Sequence, residues 1–557
     1  MPKFILIDQS LRDLGGHHYP YAHTVLSAAQ RAGWQPVLAV NRSFRERAGL
    51  PDEWRVHPLY AHESYSRHTL DTQALAAQNP ANGGAAQRPA FARWWRARMR
   101  SRRAAHFARD CARLFELESL GRGDVVFLAT MSELDLWGLS AFLKNSSLGM
   151  DCDWHLQFHF GIYHGREPDY GAQRAAAVAM RDSLGGAMRQ SGAQRLHFHC
   201  TTEQLTAQYQ SLGVARFATL PYPVHELFEP RPGPQAAPLR IACLGHSRRE
   251  KGYGQLPPLL RALWDEWFGR ARAQLVLQTH HPRQRRGLEQ LVRALTPAGS
   301  APPPALDFAG FPLPLAGYAG LLCGADVGLM LYDSTRYYAR CSGVLLEMLC
   351  AGVPVLVPAG GWLAAQIEPV NQAYLDEIAT RCAPLVPLAD DGWVPVPASA
   401  GALLLACEWR ADAEPGEYLR LEFSTGDAAA NSTPPAQVIL GARADSLPVR
   451  CLLPLPPGCR RLRVTPHNAW RQAAAPATRY EWSVLPEAPP LGAVGLTFAA
   501  TGEIPRLLRD LLQHAEHYRS RARAHARACA EAHSGAQVLA GLGIKAIAEI
   551  AGPRATT

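Results

Sequence analysis

Cationic side chains cluster on a short loop that follows a predicted strand over Leu239–Leu244. The loop begins at Gly245 and contains Arg248 and Lys251, and only four of the 57 lysine and arginine residues in the chain are lysines. Ligands of α/β sheets bind where strands end, and fixed positive groups at that place can neutralise a diphosphate without a metal ion. We therefore expect Lys251 and Arg248 to bind an anion. A solvated surface turn is the alternative interpretation.

A second group of candidate residues surrounds the start of a predicted apolar helix. Arg340 precedes Ser342 and Gly343, and Glu347 lies one turn into the helix among leucines and a methionine. Free backbone N–H groups at a helix start attract anions, while a carboxylate in apolar surroundings is costly without a hydrogen-bonding partner. A ribose diol would be such a partner, so the segment predicts contacts to a nucleotide. A carboxylate that only interacts favourably with the helix dipole is the alternative.

Two glycines, Gly15 and Gly16, follow the first predicted strand and precede a helix. Glycines at this point let the backbone approach a phosphate or a sugar closely. The sequence continues with two histidines and a tyrosine, so it does not complete the G-x-G-x-x-G pattern of dinucleotide-binding domains. The motif therefore argues against NAD as a ligand.

Alternating apolar runs and stretches of helical periodicity must position these residues. The alternation occurs twice, over residues 1–228 and 236–390, on either side of a proline-rich hinge. It predicts the α/β class, with two doubly wound, Rossmann-like parallel sheets and a cleft between them. A polar and basic excursion over residues 60–123 interrupts the first domain.

The pattern changes after about residue 390. Short runs that alternate apolar and polar residues predict an antiparallel β-sandwich inserted over residues 395–487. Helical periodicity over residues 488–557 then predicts the closing helices of the second α/β domain. Trp409, Trp470 and Trp482 are candidate glycan-binding residues of the sandwich, and tryptophans of its core are the alternative.

Composition limits the class of protein. The chain has 557 residues, of which 47% are hydrophobic and 19% charged, and its net charge is +9. These values fit several globular domains and an anionic partner. No apolar run is long enough to span a bilayer, no signal peptide is recognisable, and the twelve cysteines are scattered singly. We therefore expect a cytoplasmic protein with reduced thiols.

An arginine-rich segment over residues 93–113 predicts a basic helix with interspersed aromatic residues. Such a helix can lie on an anionic membrane surface, which would place the protein at the inner face of the membrane; an ordinary surface helix is the alternative. Nucleic-acid binding is not expected, because no matching fold motif accompanies the basic residues. Asp151 and Asp153 form an Asp-x-Asp pair, but it precedes a strand and such pairs are common by chance, so we expect no metal.

Several motifs together resemble the GT-B glycosyltransferases, in particular the retaining family 4 type. They are the Gly-Gly pair after the first strand, Gly-x5-Lys-Gly after the hinge, Gly-Phe at 310–311 before Ala-Asp-Val at 325–327, and Gly-Val-Leu-Leu-Glu-Met-Leu-x-Ala-Gly-Val-Pro-Val over 343–355. The resemblance covers about residues 1–390 and 490–557, and it is most specific over 305–357.

The resemblance implies roles for individual residues of this chain. In the family the first-domain glycines, here Gly15 and Gly16, approach the donor diphosphate. The lysine of Lys-Gly, here Lys251, neutralises that diphosphate, and the helix glutamate, here Glu347, holds the nucleotide ribose.

A histidine that ends a first-domain strand lies near the reacting sugar in this family. His159 is the best match here, and His155 and His164 flank it. The donor-binding residues that the resemblance and the motifs imply are Gly15, Gly16, Gly245, Lys251, Phe311, Arg340, Ser342, Gly343 and Glu347, and the implied catalytic residues are His159, Lys251 and Arg248.

The chain departs from the family pattern at two positions. His246 stands where the family has an arginine, so Arg248 or the arginine after it would supply that charge. Ala339 stands where the family has an acid near the donor sugar, so Tyr338 or Arg340 would contact the sugar instead.

The resemblance implies transfer of a sugar from a nucleotide-diphosphate sugar to a hydroxyl acceptor, with retention of the anomeric configuration and without a metal or other cofactor. The acceptor would belong to polysaccharide, lipid-linked glycan or lipopolysaccharide assembly. Alternatives are a catalytically silent scaffold or glycan-binding protein that acts through the β-sandwich, a sugar-nucleotide epimerase, and a phosphorylase. A phosphorylase would need pyridoxal phosphate on a Schiff-base lysine, for which only Lys251 is available in the cleft region.

Overall fold

The structure is a computed structural model that describes residues 1–64, 90–146, 151–165, 171–191, 195–231, 238–245, 247–279, 281–310, 313–382, 384–387, 392–408, 417–425, 436–438, 449–468 and 479–547. The strands are β1 (Lys3–Asp8), β2 (Gln35–Asn41), β3 (Arg55–Tyr60), β4 (Val125–Met131), β5 (Asp153–Phe158), β6 (Leu196–Cys200), β7 (Phe217–Thr219), β8 (Leu239–Cys243), β9 (Ala273–Gln278), β10 (Leu306–Ala309), β11 (Val327–Leu329), β12 (Val355–Pro358), β13 (Val386–Pro387), β14 (Val394–Pro395), β15 (Ala402–Glu408), β16 (Glu417–Ser424), β17 (Ala436–Val438), β18 (Val449–Pro454), β19 (Arg461–Asn468), β20 (Arg479–Leu485) and β21 (Gly495–Phe498). The α-helices are α1 (His18–Arg31), α2 (Ala90–Glu118), α3 (Glu133–Asn145), α4 (Gly171–Ser191), α5 (Glu203–Gln210), α6 (Leu256–Ala262), α7 (Pro282–Leu295), α8 (Leu315–Cys323), α9 (Gly343–Cys350), α10 (Trp362–Ala365), α11 (Glu368–Ala379), α12 (Ile504–Gln513), α13 (Ala515–Ala532) and α14 (Gly535–Gly541).

The first sheet has the strand order β3-β2-β1-β4-β5-β6-β7, and all of its strands run parallel. β1 and β4 are buried along nearly their whole length, which is why both read as continuous apolar runs in the sequence. The strand order reverses between β1 and β4. Such a reversal opens a crevice at the carboxyl ends of the two strands, which here are Asp8 and Met131.

The second sheet has the strand order β10-β9-β8-β11-β12-β21 and is also parallel throughout. Its order reverses between β8 and β11, so the carboxyl end of β8 is a second crevice. β21 pairs with β12 although the antiparallel strands lie between them in the chain. The sequence prediction of two parallel-sheet α/β units is therefore confirmed.

Two four-stranded antiparallel sheets stand between β12 and β21 in the chain. Their strand orders are β13-β20-β15-β18 and β14-β19-β16-β17. Side chains of both sheets, such as Leu405 and Leu462, belong to one buried apolar cluster. Trp482 lies in this cluster and is only 9% exposed, so of the two interpretations of this residue, packing in the core is the one that fits. Trp409 and Trp470 lie outside the described residues.

The basic segment forms α2, and several of its charges point into the protein. Arg103 pairs with Asp135 at 3.2 Å, and Arg100 pairs with Glu133, also at 3.2 Å; both acids belong to α3. Phe107 is buried in the core of the first domain. The described part of α2 is therefore packed as an ordinary surface helix on this side. No helix in the described ranges has both the length and the apolar content that crossing a bilayer requires.

Asp151 and Asp153 lie at the amino end of β5, which is the edge of the sheet opposite to the crevice. Asp153 pairs with Arg195 at 3.4 Å. The Asp-x-Asp pair is therefore remote from the loops that hold the other candidate residues.

Candidate functional site

The loops that follow the strands of the two parallel sheets meet each other. The backbone N–H of Gly165 donates to the carbonyl of Thr335 over 3.0 Å, and the hydroxyl of Thr202 donates to the carbonyl of Ala339 over 2.7 Å. In each bond the donor belongs to the first domain and the acceptor to the second. The two crevices at the strand ends thus form one cleft between the domains.

Lys251 is held over the backbone of its own loop by two glycines in left-handed conformations. A Cβ atom at Gly252, whose φ is +72°, would overlap the carbonyl of Leu331. A Cβ atom at Gly245, whose φ is +86°, would lie 2.8 Å from Lys251 Nζ and 3.5 Å from the side chain of Val344. The loop therefore brings the lysine ammonium group to the start of α9. Burial lowers the pKa of Lys251.

Arg248 lies beside Lys251 with its side chain 57% exposed. Its guanidinium group is 3.9 Å from Glu250, and its charge is among the influences that lower the pKa of Lys251. An exposed arginine and a partly buried lysine therefore share one loop, as the sequence predicted. His246 lies outside the described residues.

Glu347 is buried on α9, and a tyrosine of the neighbouring helix binds it. The hydroxyl of Tyr318 donates to Glu347 Oε2 over 2.9 Å. Burial raises the pKa of Glu347 to about 7, while the bond from Tyr318 and the charge of Lys251 act in the opposite direction. Ser342 caps the helix, because its side-chain oxygen accepts from the N–H of Leu345 at 3.4 Å.

Arg340 follows Ala339 and lies against two aromatic rings. Its guanidinium carbon is 5.5 Å from the ring centre of Phe160 and 5.7 Å from that of Tyr337. Its Nε is buried, and no atom of the described residues accepts a hydrogen bond from it. Burial lowers the pKa of Arg340. This nitrogen is therefore a donor without a described acceptor at the edge of the cleft.

Ala339 itself does not face the cleft. Its side chain is 3% exposed and packs in the apolar core of the first domain, and part of Tyr338 packs against the same core. Of the two residues that could replace the missing acid, Tyr338 is partly buried against this core, whereas Arg340 has a buried donor without a described acceptor.

A carboxylate and two histidines on the first-domain side of the cleft were not predicted from the sequence. Asp8, the last residue of β1, lies 2.8 Å from His18 Nδ1, and the rings of His17 and His18 are 4.2 Å apart. The charge of His18 and then burial lower the pKa of His17, and Lys251 of the second domain contributes as well. The sequence did contain a signal for this group, because an acid ends the first strand and two adjacent histidines follow it at the start of α1.

His159 lies in the same region, at the end of β5. Its Nε2 is 2.6 Å from the carbonyl oxygen of Ala129, so this nitrogen carries the hydrogen and Nδ1 is the acceptor. Burial lowers the pKa of His159 to about 4. Of the flanking candidates, His155 is buried within the sheet with its Nδ1 3.1 Å from His199 Nε2, and His164 is half-buried near the loop of Arg340.

Of the remaining residues that the sequence predicted to bind the donor, the glycines are described in the structure and one residue lies outside the described ranges. Gly15 and Gly16 precede α1, and Gly16 has a φ of +71° with open space where a Cβ would lie. Gly343 begins α9, and a Cβ there would contact the phenol of Tyr222 at 3.0 Å. Phe311 lies outside the described residues.

The fold and the site together define a two-domain α/β protein whose cleft presents fixed cations, a buried carboxylate and a neutral histidine. A scan against protein-family models finds no match, and no curated protein matches the sequence.

Solved structures similar to this chain share 12–15% of its residues where they align. A sucrose-phosphate synthase from Thermosynechococcus elongatus aligns over 66% of this chain and 84% of its own, with 15% identity and a TM-score of 0.42. A UDP-forming trehalose-phosphate synthase from Burkholderia xenovorans aligns over 66% and 86%, with 13% identity and a TM-score of 0.43. WaaG, a glycosyltransferase involved in lipopolysaccharide biosynthesis, aligns over 65% and 83%, with 14% identity and a TM-score of 0.39. At these TM-scores the likeness is partial and supplies no evidence about activity.

Proposed function

We propose that this protein is a GT-B glycosyltransferase, resembling the retaining family 4 type, that moves a sugar from a nucleotide-diphosphate sugar to a hydroxyl acceptor. One observation carries the proposal: the turn at Gly245 places the ammonium group of Lys251 beside the first turn of α9, the helix on which Glu347 is buried, at the cleft between two parallel sheets. A cation and a buried carboxylate held in this way match a diphosphate and a ribose that are joined in a single ligand.

Glu347 binds the ribose of the donor in this proposal. The hydroxyl of Tyr318 donates to one lone pair of Glu347 Oε2. An ionised carboxylate has further lone pairs, which can accept hydrogen bonds from two ribose hydroxyls. Because the carboxylate is buried, a diol that satisfies it recovers part of the free energy that burial costs.

The diphosphate lies between the two domains. Lys251 and Arg248 supply positive charge from one side, and the backbone N–H groups at Gly343 point toward an anion at the start of α9. Gly15 and Gly16 let the backbone of the first domain approach from the other side. We expect Phe311 and Gly245 to complete the donor pocket.

Transfer begins as the bond between the anomeric carbon and the diphosphate oxygen lengthens. Lys251 and Arg248 stabilise the negative charge that develops on the leaving group, so a divalent cation is not required. A β-phosphate oxygen takes the proton of the acceptor hydroxyl while the new bond forms on the same face of the sugar, which retains the anomeric configuration. Closure of the cleft excludes water that would hydrolyse the donor.

His159 and Arg340 contact the donor sugar from opposite domains. At neutral pH His159 is uncharged, because its pKa is lowered to about 4, so Nδ1 can accept a hydrogen bond from a sugar hydroxyl. The buried Nε of Arg340 donates in the place where the family has an acid. The acceptor is a polysaccharide, a lipid-linked glycan or a lipopolysaccharide precursor.

The two antiparallel sheets form, in this proposal, a β-sandwich module over residues 395–487, between domains at 1–228 and 236–390 and closing helices at 488–557. All twelve cysteines are free thiols, which fits a cytoplasmic protein. Contact with the inner face of the membrane would use the outward arginines of residues 93–113, such as Arg102.

A thermal-shift screen of nucleoside diphosphates, with and without Mg²⁺, tests the donor site. A ligand that binds only the folded protein raises its melting temperature, and we expect one nucleoside diphosphate to do so equally well with Mg²⁺ and with EDTA. Lys251→Ala should abolish most of the shift for the diphosphate while leaving the smaller shift of the free nucleoside. Lys144→Ala, which removes an exposed lysine from α3, is the matched control.

Transfer is then tested by donor turnover in Glu347→Ala and Lys251→Ala proteins. Loss of turnover in both variants supports a transferase, and wild-type turnover in both would rule out the proposed site. Binding without turnover in the wild-type protein would indicate a silent scaffold.

A further inference from the structure

The outer face of one antiparallel sheet carries an exposed tryptophan beside a group of arginines. This face belongs to the sheet of β14, β16 and β19, far along the chain from the residues of the cleft. Trp393 immediately precedes β14, and its side chain is 37% exposed. The exposed part of the indole is available to contact a ligand.

Strand register fixes which side chains share this face. Glu422 of β16 is directly opposite Arg463 of β19, whereas the neighbouring pair, Leu421 and Val464, points into the buried cluster. Successive residues of a strand point to opposite faces. Trp393 precedes the inward-facing Val394, so it lies on the outer face with Glu422 and Arg463.

The charged side chains on the outer face form a connected group. Both Nε and Nη2 of Arg463 donate to Glu422 Oε2, the former over 2.7 Å. Nη2 of Arg420 lies 3.1 Å from Glu422 Oε1. Two guanidinium groups therefore bind one carboxylate, and Arg461, two residues before Arg463, is also exposed on this strand.

Trp393 is held rigidly by this group. The guanidinium carbon of Arg463 lies 5.1 Å from the centre of the indole ring, within the range of a cation–π contact. Glu422 anchors Arg463, and 37% of the Trp393 side chain remains exposed to a ligand. The ordered ring is a flat apolar platform that loses little side-chain entropy when a ligand binds.

A donor on the platform lacks an acceptor. Nε of Arg420 is buried, and none of the atoms that the structure describes accepts a hydrogen bond from it. The Arg420 side chain as a whole is 39% exposed, so a rotation of its guanidinium group would let a ligand oxygen recover the free energy that the unpaired donor costs. The face thus presents an aromatic plane, an unsatisfied guanidinium donor and an excess of positive charge at one place.

We propose that Trp393, Arg420 and Arg463 bind a glycan chain that carries carboxylate groups. The C–H-rich face of a sugar ring is apolar and packs on an aromatic surface, while guanidinium groups bind carboxylates through paired hydrogen bonds. Glu422 binds Arg420 and Arg463 and neutralises only one of their two charges, so the face retains positive charge. The face therefore suits an acidic glycan.

Binding of short oligogalacturonate to the full-length protein, measured by isothermal titration calorimetry, tests this site without any transfer reaction. We expect Trp393→Ala to weaken binding about tenfold, as for the loss of a central aromatic contact, and Trp393→Phe to retain most of the affinity. Arg463→Ala should also weaken binding about tenfold and should make it less sensitive to salt. Arg527→Ala, which removes an exposed arginine from α13, is the control for net charge and should bind as the wild type does.

Two comparisons can overturn the proposal. If Trp393→Ala and the wild-type protein melt at the same temperature and bind oligogalacturonate with equal affinity, Trp393 does not contact the glycan and the proposal is wrong. Equal binding of maltohexaose, or tighter binding of an oligothymidylate, would show that the face does not select acidic glycans. Because none of these measurements involves the cleft, a failed nucleotide screen and a failed glycan titration remain separate results.

Discussion

Tyr318 donates a hydrogen bond to Glu347 over 2.9 Å, so that a residue of α8 holds a buried carboxylate of α9. The bond fixes the rotamer of Glu347 and supplies one of the partners that a buried carboxylate needs. The rest of the carboxylate is left to a ligand. Tyr318 is therefore a positioning residue of the proposed ribose site.

Removing this hydroxyl should weaken nucleotide binding. We expect Tyr318→Phe to raise the Kd of the stabilising nucleoside diphosphate about fivefold, since a hydrogen bond to a charged group is lost. Titration calorimetry measures the change. Tyr374→Phe removes a bond of similar length, from Tyr374 to the carbonyl of Pro490 at 2.9 Å, away from the cleft, and should leave Kd unchanged. An unchanged Kd for Tyr318→Phe would contradict the positioning role.

The pKa of Glu347 predicts how nucleotide affinity depends on pH. This pKa is about 7, and only the ionised carboxylate can accept from both ribose hydroxyls. Affinity should therefore increase as pH rises through about 7, and this increase should be absent in Glu347→Gln. The phosphate of the nucleotide ionises in the same way with both proteins, so the difference between their pH profiles isolates Glu347. Parallel profiles would exclude the carboxylate from the site.

The same pKa predicts an effect of pH on stability in the absence of ligand. The folded protein holds a proton on Glu347 up to a pH of about 7, whereas the ordinary value is 4.5. The folded state therefore binds more protons than the unfolded state between these values, and the free energy of unfolding falls as pH rises across them. Glu347→Gln should reduce this decline. Burial also raises the pKa of Glu368 to about 7, so part of the decline should persist in Glu347→Gln. Denaturant unfolding of the wild-type and variant proteins at several pH values measures the two declines.

A methyl group at residue 245 should disturb the anion site. In Gly245→Ala the new Cβ would lie 2.8 Å from Lys251 Nζ, at a φ of +86° that alanine adopts only with strain. We expect the unfolding free energy to fall by about 1–2 kcal/mol and nucleoside diphosphate binding to weaken. Gly287→Ala, in a helix with open space at its Cβ position, should be neutral or stabilising. Wild-type binding by Gly245→Ala would show that the position of Lys251 is unimportant.

Placing an acid at residue 339, as in the glycosyltransferases that the sequence resembles, should damage this protein. Ala339 is 3% exposed and packs in the apolar core of the first domain, so Ala339→Glu would bury an unpaired charge. We expect the unfolding free energy to fall by about 3 kcal/mol or more, with no gain in donor turnover. Ala524→Glu, on the exposed side of α13, should change stability little. A stable and more active Ala339→Glu protein would contradict the described packing.

The fold was largely predictable because its signal is local. β1 and β4 are buried on both faces, so they are continuous apolar runs, and the helices between them keep their own periodicity. The loop of Lys251 and the helix of Glu347 were predictable for the same reason, since each candidate sits directly beside a strand end or a helix start. The change to alternating residues after about residue 390 indicated the antiparallel sheets.

The missed residues depend on how turns and strand faces are arranged in space. Asp8 and His18 are close in the sequence, but the contact between the Asp8 carboxylate and His18 Nδ1 at 2.8 Å depends on the path of the loop between β1 and α1. The burial of Trp482 and the exposure of Trp393 also follow from strand register rather than from residue type, because a shift of one residue reverses the face that a side chain occupies.

The sequence by itself therefore determined two parallel α/β units, the antiparallel region between β12 and β21, and the ends of the elements at which Lys251 and Glu347 lie. The tertiary structure alone decided which of these side chains meet. The carbonyl of Ala339 accepts from the hydroxyl of Thr202 across the domain boundary, and the Ala339 side chain packs in the core of the first domain. Periodicity is set by neighbours a few residues apart, whereas burial and pairing are set by whichever distant segments pack together.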